Sequence, residues 1–210
     1  MRKRILAAAR NEFARFGTAG ARVDRIARAA GANKRMLYYH IGNKDDLYLA
    51  VLEAEYERIR EGERRLNLEA LAPADAIARL VAFTWQHYLE NPEFLALLNN
   101  ENLQRARHLK RSKKVTQLHS PFVALIADIL ARGVASGDFR PGIDPVQLYI
   151  SIASLSYFYQ SNSATLSTIF GRDLLSEEAK AKRLAHMTDL VLAALRRVPA
   201  TALDRLVTAS

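Results

Sequence analysis

The stretch that most constrains this chain is Ala21 to Ile41, ARVDRIARAAGANKRMLYYHI. Val23, Ile26, Ala27 and Ala30 recur at i, i+3, i+4 and i+7, the spacing of one helix face, while Arg22, Asp24, Arg25 and Arg28 fall on the other. Gly31 follows where the residue after a helix takes positive φ. Asn33 then offers a side-chain oxygen to the free amides of a second helix opening at Lys34. Two short helices joined by so tight a glycine-containing connector predict a helix-turn-helix, a unit whose second helix enters the major groove of DNA. Lys34, Arg35, Tyr38, Tyr39 and His40 give that second helix cationic and hydrogen-bonding groups, leaving mainly Leu37 and Ile41 to anchor it.

Charge supports the same reading through its position. The chain of 210 residues carries a formal net charge of +9. Residues 1–44 hold Arg2, Lys3, Arg4, Arg10, Arg15, Arg22, Arg25, Arg28, Lys34, Arg35 and Lys44 against only Glu12 and Asp24. The whole excess therefore lies in the segment with the helix-turn-helix pattern, and the remainder is neutral. A phosphate-binding module, whose affinity comes largely from counterion release, requires such a bias. With 50% hydrophobic residues the chain has ample material for a core.

There is no cysteine, so disulfides and thiolate chemistry are excluded and a cytoplasmic setting fits. The apolar run near the N-terminus is cut by Arg10, Asn11 and Glu12, unlike a signal peptide. No stretch approaches about 18 uncharged apolar residues, so no membrane span and no membrane partner is expected.

Along the chain, a first helix is predicted from Arg2 to Phe16, ended by Gly17, with Ile5, Ala8, Ala9, Phe13 and Phe16 at helical spacing. Asn43 is expected to cap a helix over 44–61, with Leu47, Val51, Leu52 and Ile59 inward and Glu53, Glu55, Glu57, Arg58 and Arg60 in water. Gly62 to Leu71 reads as a connector. Further helices are expected from Pro73, from Pro92 with Asn91 as cap, from Pro121 to Ser136, over 146–159 after Asp144-Pro145, and over 177–198 with Pro199 closing it. The basic run Arg105, Arg107, Lys110, Arg111, Lys113 and Lys114 reads as an exposed helix end or loop, with the flank of a pocket for an anionic ligand as the alternative. Helix 146–159 has two apolar stripes and so is buried on two sides. No run alternates like a strand. The expected class is all-α, with a helix-turn-helix domain over 1–45, helix 44–61 connecting, and a larger helical domain over 62–200.

Residues 2–55 resemble the DNA-binding domain of the TetR (tetracycline-repressor) family of bacterial transcription regulators. The elements that carry the resemblance are RILAAARNEFARFG, VDRIARAAG, LYYH and the lysine in NKDDLYLAVL. Residues 70–198 resemble the family's helical ligand-binding and dimerisation domain in order and length. The resemblance implies that Arg22, Lys34, Arg35, Tyr38, Tyr39 and His40 face DNA, that Lys44 meets a phosphate, and that Leu37 and Ile41 belong to the core. Three departures from the pattern matter. Ala21 stands where a threonine is frequent, Ala32-Asn33 where Val-Ser is common, and Arg35 where a small residue is frequent. An arginine there is suited to bond guanine O6 and N7, adding about 1–3 kcal/mol of discrimination. In the family a longer basic arm commonly precedes the first helix, so either these residues begin within the usual domain or that contact is lacking.

One helix-turn-helix reads only a few base pairs, so two are expected about 34 Å apart. A homodimer is thus implied, with helices 146–159 and 177–198 forming a four-helix bundle with their mates. The family implies repression, relieved when a small-molecule effector changes the separation of the two heads. Candidate pocket residues are Phe83, Trp85, His87, Tyr88, Asn99, Asn102, Phe122, Tyr157 and Phe158, an aromatic set suited to an apolar or aromatic ligand. Two alternatives stand beside this. One is a helical small-molecule-binding protein whose DNA-binding head has lost function, and the other a metal-dependent enzyme built on His87 with Glu90 or His186 with Asp189. No phosphate loop or serine elbow is present, and neither a cofactor nor a metal is expected.

Overall fold

The computed structural model describes residues 1–196, the side chain of His40 excepted. Among the described residues there is no strand, and the helices are α1 (Arg2–Gly20), α2 (Val23–Ala29), α3 (Lys34–Ile41), α4 (Lys44–Arg64) and α5 (Pro73–Glu90). Then follow α6 (Pro92–Leu103), α7 (Lys113–Ser136), α8 (Pro145–Ser161), α9 (Ser163–Phe170) and α10 (Glu177–Leu195). Val198 and Pro199, expected at the end of the last helix, lie outside the described residues. Two compact units result. The first comprises residues 1–65 and 87–121, the second 66–86 and 122 onward.

The first unit is built around Ile5, Ala9 and Phe13 of α1, Val23, Ile26 and Ala27 of α2, Leu37 of α3, Leu47, Tyr48, Val51 and Leu52 of α4, and Leu97 of α6. These are the periodic positions of each segment, gathered inward because each helix hides one apolar stripe. The Phe13 and Tyr48 rings meet edge-on at 5.0 Å, and the Tyr48 hydroxyl donates to the Leu97 carbonyl at 3.2 Å. Helix α1 does not stop at Gly17. The chain kinks there, at φ 62, and one more turn runs on to Gly20. A Cβ on Gly17 would lie 2.5 Å from Asn100 Nδ2 of α6, so both its backbone and its missing side chain serve the packing.

The basic run after α6 is not a free loop. Arg107 pairs with Asp45 at 3.1 Å, Arg111 with Asp46 at 2.6 Å and Lys114 with Glu57 at 3.0 Å, so the segment is strapped along α4. Glu101 anchors it from inside, accepting the backbone amides of His108 and Leu109 at 2.7 and 2.9 Å and meeting His108 Nδ1 at 2.9 Å. Two residues expected in water on α4 are buried: Glu55 lies beside Arg10 and Arg58, and Arg60 meets Glu63 at 2.9 Å, at 2% and 1% side-chain exposure. The α4 stripe alone looked one-sided, and the bulk that covers its second side comes from elements distant in sequence.

In the second unit α7 runs through Pro121 instead of starting there. Its inward face is Phe122, Ile126, Ile129 and Leu130. By length and composition α7 is apolar enough to cross a membrane, with a mean hydropathy of 1.4 over its best window. Asp128 and Arg132 interrupt its apolar run. Arg132, partly exposed, pairs with Asp128 at 3.0 Å on the surface and donates to the Leu71 carbonyl at 2.8 Å. Gly133 lets the Phe139 ring lie on α7, where a Cβ would come within 2.0 Å of it. Helix α8 buries Leu148, Ile152 and Ser156 and α10 buries Met187, Val191 and Leu195. Among the described residues the other side of α8 is only partly covered: Val146, Ile150 and Phe158 are exposed, as is Leu190 of α10, while Tyr149, Ala153 and Tyr157 are half-buried.

Candidate nucleic-acid interface

Helix α3 is held by few bonds, each traceable to the sequence. Asn33 Oδ1 accepts the Met36 amide at 2.8 Å, the N-cap that its position predicted. Leu37 is fully buried and Ile41 half-buried. Asn43 and Asp46 form a reciprocal capping box at the start of α4, which sets the direction of the chain as it leaves α3.

With Leu37 inward, the opposite side of α3 is left in solvent. Lys34, Arg35, Met36, Tyr38 and Tyr39 are exposed, Tyr39 at 85%. Arg22 is exposed at the entry to α2, and Lys44, half-buried, is the first residue of α4. Among the described residues Arg22, Arg35 and Lys44 form no side-chain ion pair. The His40 side chain lies outside the described residues. The exposed Met36, which periodicity did not single out, adds an apolar group beside the aromatic ones.

Other cations counted in the excess have structural tasks. Arg4 donates through Nε and Nη2 to the Ala30 carbonyl at 3.0 and 2.8 Å and through Nη2 to Gly31 at 3.1 Å, closing the C-terminal end of α2. Arg25 binds Glu12, and Lys34 Nζ meets Asp24 Oδ1 at 3.0 Å. The hydrogen bond and charge of Asp24 raise the Lys34 ammonium above its ordinary range. The departure at Ala21 has a local answer: with no hydroxyl there, the Arg22 amide donates to Glu12 Oε1 at 2.9 Å.

The nine residues expected around an effector are distributed over both units. In the second, Trp85 and Phe122 are buried and Phe83 and Tyr157 half-buried, while Phe158 is 58% exposed on the outer side of α8. Trp85 stacks edge-on with Tyr159 at 5.5 Å and Phe122 with Tyr149 at 5.1 Å. In the first, His87 and Tyr88 are buried against Phe94, Asn99 is half-buried and Asn102 exposed. Burial drives the His87 imidazole down to about 4, so it is neutral at pH 7. Among the described residues no group of three or more His, Cys, Asp or Glu side chains is placed to hold a metal ion. A groove of about 700 Å³ lies between α8 and α10, lined by Leu148, Ile150, Leu155, Leu190 and Val191 among others, and contains none of the nine.

A capped, cation-bearing second helix on a buried three-helix frame, followed by a helical body, defines a helix-turn-helix DNA-binding protein of the regulator class. Comparison with known proteins specifies it further. Residues 5–51 match the bacterial regulatory proteins of the tetR family, and residues 73–191 match the tetracyclin repressor-like C-terminal domain. The HTH-type transcriptional repressor NicS of Pseudomonas putida is 39% identical over 196 residues, which is 93% of this chain and 92% of that one. Among solved structures, a transcriptional regulator of Streptomyces coelicolor, SCO4942, aligns with a TM-score of 0.69 at 26% identity, covering 94% of this chain and 99% of that one. FadR of Bacillus subtilis, in complex with stearoyl-CoA, aligns with a TM-score of 0.69 over 93% of this chain and 100% of that one. At 15% identity it speaks for the fold alone. This chain belongs to the TetR family of transcriptional regulators.

Proposed function

We propose that the protein is a homodimeric, cytoplasmic repressor that leaves its operator when a small molecule binds its helical body. Residues 1–45 would read DNA, helix 44–61 would connect, and residues 62–200 would hold the effector and the dimer contact. The observation that carries this reading is the outward face of α3, where Lys34, Arg35, Tyr38 and Tyr39 stand in solvent on a helix anchored by Leu37. Arg22, His40 and Lys44 complete the proposed DNA-facing set. Dimerisation is supported by Val146, Ile150 and Phe158, exposed on α8, and by Leu190 beside them on α10. The name of NicS as a repressor supports repression here. An effector acts only through its differential affinity for the DNA-bound and free states.

The test is base discrimination. Duplexes enriched by the protein from a randomised pool are varied one base pair at a time and titrated with wild type and with Arg35→Ala. Loss of preference at one guanine in each half-site, by a factor corresponding to about 1–3 kcal/mol, is expected if Arg35 reads O6 and N7. Uniform loss at every sequence would reassign Arg35 to phosphate. Absence of any duplex binding in dilute buffer would refute the reading as a whole.

A further inference from the structure

We propose that Asp24 restrains non-specific DNA binding by holding Lys34, and so raises the ratio of specific to non-specific affinity. The proposal rests on the DNA-reading role of α3. Residues 1–44 contain just two acids, and they are used differently. Glu12 is mostly buried and takes Arg25 together with the Arg22 amide, a brace within the frame. Asp24 is two-thirds exposed, on the outer side of α2, and pairs with the ammonium of Lys34, the first residue of α3, at 3.0 Å. The contact therefore crosses from the supporting helix to the helix proposed to enter the groove.

Its effect follows from where the charge stands. On unrelated DNA, affinity is the sum of phosphate contacts, and each one contributes about 0.9 to the dependence of log K on log salt. A lysine already paired to a carboxylate adds less to that sum. To reach a phosphate it must leave Asp24, and the abandoned carboxylate then faces the polyanion. In a specific complex, orientation matters more than summed charge, since contacts to the backbone fix register and contacts to base edges select. There Lys34 keeps its bond to Asp24, and register and selection come from the other contacts of the face. Asp24 thus taxes the wrong complexes more than the right one.

The experiment measures salt dependence on a mixed-sequence duplex and on a duplex enriched by wild type, for wild type, Asp24→Asn, Lys34→Gln and the double variant. With Asp24→Asn, the slope on the mixed-sequence duplex should steepen by about 0.9 per head, and this change alone widens the affinity loss between 50 and 200 mM salt by about 3.5-fold per head. The specificity ratio should fall, because affinity for the mixed-sequence duplex rises more than affinity for the enriched one. In the Lys34→Gln background the same replacement should leave slope and ratio unchanged, and Asp24→Glu should restore wild-type behaviour. An Asp24→Asn effect that persists without Lys34 would mean that Asp24 acts only as a negative charge near DNA, which overturns the proposal. So would an unchanged slope and ratio in a variant that melts with wild type. Failure of wild type to bind either duplex would instead overturn the underlying function, which these measurements separate from the first two results.

Discussion

Arg25 Nε donates to Glu12 Oε1 at 2.6 Å, and the same oxygen accepts the backbone amide of Arg22 at 2.9 Å. One carboxylate of α1 thereby holds both the start and the first turn of α2, and the Arg25 guanidinium lies over the Phe16 ring at 4.3 Å. Burial of Glu12 raises its pKa, but the Arg25 hydrogen bond, the Arg22 amide and the charges of Arg25 and Arg15 outweigh it and hold the carboxyl below its ordinary range. Glu12→Ala should cost about 1–3 kcal/mol, the loss expected for a charge-assisted bond. A pKa lowered by folding contributes stability above the unfolded value near 4.3, lost as pH falls through the folded one. The difference between wild type and Glu12→Ala in urea midpoint should therefore shrink below about pH 4.

A second pH window belongs to Glu63 and His87. Burial pushes the Glu63 carboxyl up to about 8, against the opposing charge of Arg60. The folded state then holds a proton that the unfolded chain releases near 4.3, so stability falls as pH rises from there to 8. His87, pushed down to about 4 from an unfolded value near 6.5, works in the other direction between those limits. Above pH 6.5 the His87 contribution is constant and Glu63 acts alone. The melting temperature of Glu63→Gln should lose the decline between pH 6.5 and 8 that wild type shows. An identical decline in both would contradict the assignment.

Gly133 tests the packing of the second unit. Its missing Cβ is the space in which the Phe139 ring lies, so Gly133→Ala should destabilise the protein by about 1–3 kcal/mol through overpacking despite its better helix propensity. Combining it with Phe139→Leu should return part of the loss. Chemical denaturation of the two single variants and the pair gives the coupling directly.

For the dimer, Ile150 and Leu190 are each 48% exposed in one chain. Ile150→Arg should leave the melting of the isolated fold close to wild type at low concentration and shift the molecular mass by light scattering from two chains to one. It should also weaken operator binding by more than tenfold, since one head replaces two. A wild-type monomer at micromolar concentration would rule out the arrangement.

Much of this was legible in local spacing. The α3 helix from Lys34, its Asn33 cap and the Asn43 start of α4 each depend on residues a few positions apart, and each is found. Helix α8, expected to be buried on two sides, is buried on one and partly exposed on the other. Asn91 is instructive in the other direction. It precedes Pro92 as a cap should, but its Nδ2 donates back to the His87 carbonyl at 2.8 Å, and no cap bond from its side chain is formed. Its Oδ1, the atom a cap would use, accepts instead from Arg58 Nη1 at 3.4 Å, and only the folded geometry shows which bonds are made. Pro121 likewise marks a helix start by rule, but here lies inside α7, whose two halves serve different units.

Which stretches become helices, where the positive charge collects and which helix presents it were decided by residue order, because helical periodicity and capping act within one or two turns. Which charged groups are buried was decided by packing. Glu55 and Arg60 look solvated on their own helix and are enclosed by elements far along the chain, while the basic run at 105–114 finds its acids on α4 some sixty residues earlier. The pairing of Asp24 with Lys34 belongs to the same kind: two exposed residues of opposite sign, ten apart, meet only because the Gly31 turn brings their helices together.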